Sequence, residues 1–87
     1  MERSEAVRII QDKSRGTKAV TLVMSLPPEL LNSFPDVSAL LEEMVHNKEL
    51  VEVEYVLPDH PHVLKSIYFP PRTQIFVYSS ENNFIIK

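Results

Sequence analysis

Apolar side chains recur along this chain with two different spacings, and the switch between them falls near residue 50. Val37, Leu40, Leu41, Met44 and Val45 stand at i, i+3, i+4, i+7 and i+8, which places them on one side of an α-helix. Asp36 just before them suits an N-cap, its carboxylate able to accept from the unpaired amides of the first turn. His46-Asn47-Lys48 closes that helix, with Asn47 as a left-handed terminator. From Val51 the period drops to two. Val51, Val53, Tyr55 and Leu57 alternate with Glu52 and Glu54, the pattern of a half-buried strand with a charged outer face.

The same reading covers the rest. Residues 2–13 predict a helix with Ala6, Val7, Ile9 and Ile10 on its apolar stripe, and Glu5, Arg8 and Asp12 spaced for pairing along it. Ser14 to Thr17 ends it, and Gly16 suits the left-handed backbone of such a stop. Lys18 to Ser25 is rich in β-branched residues and predicts a short strand. Pro27-Pro28 opens a short helix that Pro35 stops, since proline fits the first turn but not the interior. Pro58-Asp59-His60-Pro61-His62 predicts a rigid turn, Leu64 to Phe69 the returning strand, and Thr73 to Tyr78 one more strand beyond Pro70-Pro71-Arg72. The domain therefore runs over 1–78, and 79–87 form a C-terminal tail ending in the apolar Phe84-Ile85-Ile86.

The fold class expected is α+β. Helix, strand, helix, helix and hairpin in that order resemble the winged-helix fold, over roughly residues 4–78. The resemblance rests on topology and element length, with no signature motif. It implies that 36–47 is the third helix, the one that DNA-binding members place in the major groove. Here that stretch and its flank offer Asp36, Glu42, Glu43 and Glu49, which a polyanion would repel. Winged helices also serve as protein-interaction and complex-assembly modules, and an acidic third helix fits that use. Ala19 to Leu31 also resembles the strand-then-helix opening of ribbon-helix-helix repressors. Pro35 cuts its helix short, however, and a long β-patterned stretch follows.

Charge sharpens this picture. The chain of 87 residues carries a net −3. Residues 1–18 hold five basic against three acidic side chains, 19–59 hold one against eight, and 60–87 hold three against one. With no cysteine, disulfides, thiolate metal sites and cysteine nucleophiles are excluded. A single glycine cannot build a phosphate-binding loop. His46, His60 and His62 lack metal-ligand spacing, so no metal and no cofactor is expected. The pairs Glu42/Glu43 and Glu52/Glu54 read as solvated faces, the second guarding the sheet against edge pairing. So short a chain also leaves little interior for a deep pocket, and no enzyme is expected.

Two functions remain. The first is protein binding or complex assembly without catalysis, through Glu42 and Glu43 on the acidic helix and through Tyr68, Phe69 and Arg72 around the hairpin. The apolar tail would fold back on its own domain or pair with a second copy as a homodimer. The alternative is nucleic-acid binding through Arg8, Lys13, Arg15 and Lys18 with Lys65 from the hairpin. No signal peptide or membrane-length apolar run is read, so a soluble cytoplasmic or nuclear protein is expected.

Overall fold

A computed structural model describes residues 1–57, 60–74 and 84–87. Pro58 and Asp59 of the expected turn, residues 75–78 of the expected last strand and the polar stretch 79–83 lie outside the described residues. The elements are α1 (Arg3–Lys13), β1 (Thr17–Lys18), α2 (Ala19–Ser25), α3 (Pro28–Ser33), α4 (Val37–His46), β2 (Val51–Leu57), β3 (His60–Phe69) and β4 (Phe84–Ile86). The strands form one sheet in the order β1-β3-β2-β4, each neighbour antiparallel. The domain is α+β, as expected.

α4 forms where the periodicity placed it. Asp36 Oδ1 accepts from the Ala39 amide at 3.2 Å, and Leu40, Leu41 and Met44 are buried. Its end differs in one residue. The Glu49 amide donates to Met44 O at 2.8 Å and the Lys48 amide to Val45 O at 3.2 Å. That is a Schellman stop, and Lys48 takes the left-handed backbone (φ 64°) expected of Asn47.

Residues 19–25 correct the expected strand. Only Thr17 and Lys18 pair in the sheet, and Ala19 to Ser25 are helical. β-branching disfavours a helix by no more than about 0.7 kcal/mol per residue. Burial of the Leu22 and Leu26 side chains on one helical stripe outweighs that. Of the stretch read as a rigid turn, His60 to His62 belong to β3 instead.

Ala6, Ile10, Leu22, Leu30, Met44 and Leu50 are fully enclosed and form the centre of the core, with Tyr68 reaching it from the sheet. Of the segment set apart as a tail, Phe84–Ile86 form a strand of the sheet. Val53 pairs with Ile86 and Tyr55 with Phe84, and the Lys87 amide donates to Glu52 O at 2.8 Å. Among the described residues no helix is long and apolar enough to cross a membrane.

Candidate docking cleft

Residues opposite one another in an antiparallel ladder share a face. Glu52 is opposite Tyr68, and Glu54 is opposite Ser66. Tyr68 belongs to the core beneath the helices, so the two glutamates stand on the helix side of the sheet. Val53 on the opposite face is buried, as the alternation predicted, but the expected solvated face is corrected: Glu52 and Glu54 are half-buried on the helix side.

They form the floor of a cleft of about 790 Å³ between α2, α4 and the sheet. The cleft is cut into the surface, so it takes no space from the small interior. One wall is α2, with Val20 and Met24 at its lip. These are 72% and 80% exposed, the most exposed large apolar side chains described. The other wall is α4, through Leu41, Glu42 and Val45.

The floor is hydrogen-bonded. Ser66 Oγ donates to Glu52 Oε2 at 2.6 Å and the Tyr68 hydroxyl to the same oxygen at 3.4 Å. Burial, with the neighbouring Glu52 charge, pushes the Tyr68 phenol up to about 12. The Lys87 ammonium pairs with Glu54. That hydrogen bond, together with the charges of Glu52, Glu54 and Glu42, outweighs burial and holds the ammonium above its ordinary range. Glu42 has no ion-pair partner among the described residues.

A second acidic cluster lies elsewhere. Arg3 Nε donates to Glu43 Oε1 at 2.9 Å, and its two terminal nitrogens grip both oxygens of Glu49 at 3.1 and 2.6 Å. The hydrogen bond to Arg3 holds the Glu49 carboxyl below its ordinary value.

Of the residues expected to bind protein, Glu42 borders the cleft and Tyr68 is buried in its floor rather than displayed. Glu43 is engaged by Arg3 instead. Phe69 is half-buried, its ring against Gly16, and Arg72 is exposed beside Val51 and Pro71 with a left-handed φ of 66°. The five cations of the nucleic-acid reading, Arg8, Lys13, Arg15, Lys18 and Lys65, are all exposed. Lys18 is opposite Ile67, two residues from Lys65, so both lie on the sheet face away from the cleft. Arg15 is 3.9 Å from Asp12. The side chains of His60 and His62 lie outside the described residues.

Sequence reasoning missed Val20, Met24, Glu52, Glu54 and Lys87 as one site. The legible signal was the helical spacing of Ala19, Leu22, Val23 and Leu26, which leaves Val20 and Met24 on the far side of α2. Compared with protein-family models, curated proteins and solved structures, the chain matches none.

Proposed function

We propose that this domain is a winged-helix-like, non-catalytic protein-interaction module whose partner docks in the cleft between α2 and α4. The likeness is supported by connectivity: a strand after the first helix shares a sheet with the hairpin, and α4 directly precedes that hairpin. One observation carries the function. Val20 and Met24 stand almost fully in water on a seven-residue helix whose other side is locked into the core by Leu22. Large apolar side chains set together beside a polar-floored groove are characteristic of contact surfaces. Nucleic acid is the weaker reading, because Glu42 and the two floor carboxylates face whatever enters the cleft, while Lys18 and Lys65 lie on the other sheet face.

The test is capture of partners on the tagged chain from its native lysate, with and without nuclease. It is run beside a Val20→Asp/Met24→Asp variant whose folding is verified by circular dichroism. A stoichiometric protein recovered in both nuclease conditions and lost with the variant is the expected result. Recovery that depends on nucleic acid, or duplex binding that weakens steeply with salt, sinks the reading.

A further inference from the structure

The cleft's two walls are parallel in design. Val20 and Met24 form one i, i+4 row on α2, and Leu41 and Val45 form one on α4. A groove between two such rows accepts the apolar ridge of a third helix. Its charge is lopsided: Glu42 on the α4 wall and Glu52 and Glu54 on the floor face a single lysine, Lys87. Glu52 and Glu54 already have partners in the floor, but a purely apolar partner would strip water from Glu42 with no charge to replace it, which is costly. A second copy docking symmetrically would bring two equally acidic clefts together, which like charges disfavour. A cation, by contrast, is already accepted there, since Lys87 places its ammonium on Glu54.

We propose that the cleft docks an amphipathic helix of a partner protein whose apolar stripe is flanked by lysine or arginine, with a partner cation taking the place that Lys87 holds on Glu54. This rests on the reading of the cleft as a protein-docking site and adds the partner's chemistry. Lys87 is then an internal competitor. Removing its charge strengthens docking, although the substitution lies in the binding surface itself.

The experiment uses the full chain and fluorescent leucine/lysine peptides of about 14 residues, four helical turns, followed by anisotropy. Companion peptides carry glutamate or glutamine in place of lysine. The lysine peptide is expected to bind at least ~10-fold more tightly than the glutamate one, with Glu42→Gln/Glu52→Gln weakening it roughly three- to tenfold. Lys87→Met should tighten it several-fold. Lys65→Met, the same charge change on the other sheet face, should leave it nearly unaltered. Equal effects of Lys87→Met and Lys65→Met, or a glutamate peptide that binds as well, overturn the proposal. If the glutamine peptide binds equally and Met24→Asp abolishes it, protein docking stands and the cationic partner falls. If no peptide binds, the cationic partner falls, and docking itself falls only if the lysate partner also ignores Met24→Asp. A dimer in light scattering that Met24→Asp dissolves makes a second copy the occupant and also overturns it.

Discussion

Two places in this domain set one cation among several carboxylates, and they are built to opposite ends. Around Arg3 the guanidinium fork is used up. Two of its nitrogens grip both oxygens of Glu49, a third reaches Glu43, and α1 is thereby tied to the far end of α4. Around Lys87 a compact ammonium sits on Glu54 while Glu42 and Glu52 stand near it, with apolar walls alongside. A bidentate fork matched to a carboxylate fixes geometry, whereas a point charge among surplus acids leaves attraction unspent. One cluster closes the fold and the other leaves a seat open.

The largest expected effect tests what holds that seat open. α2 is one wall of the cleft and is anchored through Leu22, which is fully buried. Leu22→Ala should cost about 2–5 kcal/mol of unfolding free energy, read as a lower urea midpoint. Met24→Ser on the same helix should stay within ~0.5 kcal/mol. Comparable losses would mean that Met24 belongs to the core and that the lip of the cleft is not free.

Tyr68 comes next, since it joins the core to the cleft floor. Its phenol ionises near 10 when unfolded and at about 12 when folded. Above pH 10 the unfolded chain releases this proton and the folded one keeps it. The stability is therefore complete below pH 10 and is lost as pH rises toward 12, by an amount on the order of 2 kcal/mol. Tyr68→Phe should remove this alkaline loss and leave stability near pH 7 almost unaltered, because the hydroxyl's bond to Glu52 is long at 3.4 Å. An alkaline limb unmoved by Tyr68→Phe would assign it to other groups.

These expectations also mark where the sequence was legible. α4, its Asp36 cap and the β2–β3 pairing followed from periodicity, because a stripe of five apolar positions or a strict alternation has one low-energy solution. The direction of that alternation was not legible. Period two says that β2 has two faces but not which one the helices cover, and here both do duty: Val53 is buried on one, while Tyr68 of β3 is buried on the other. Glu52 and Glu54 read as a solvated face for that reason. α2 was misread because local propensity favoured a strand, while the burial of Leu22 and Leu26 depends on the assembled core, in which α2 packs on α1 and on the distant strand β3. Lys87 had no local signal at all. Its place is set by β4 pairing with β2 some thirty positions back.

Arg3 tests the closed cluster itself. Arg3→Met keeps the aliphatic stem and removes the fork, and should lower the melting temperature at neutral pH by a few degrees. The same pair gives an acid limb. Glu49 is held below its ordinary 4.5 by the hydrogen bond from Arg3, so the stability it lends is present above that value and drains away as pH falls beneath it. The gap between wild type and Arg3→Met should therefore narrow from pH 7 to pH 3. A gap that persists in acid would trace the loss to packing of the Arg3 stem rather than to its charge.

The smallest effect decides whether the two clusters differ in kind. Lys87 is half exposed and its partner Glu54 only 16% exposed, yet the pair borders an open cleft that water can enter. Lys87→Met should accordingly shift the melting temperature less than Arg3→Met does, and that small shift should disappear in added salt, which screens a single ammonium more readily than a fitted fork. Glu54 then stands without its cation but with solvent at hand, and β4 remains held by the Lys87 amide on Glu52 O, a bond that no side-chain change touches. If Lys87→Met instead unfolds the domain as readily as Arg3→Met, the ammonium is a second staple. The floor would then have no cation that a partner could displace without loosening the sheet.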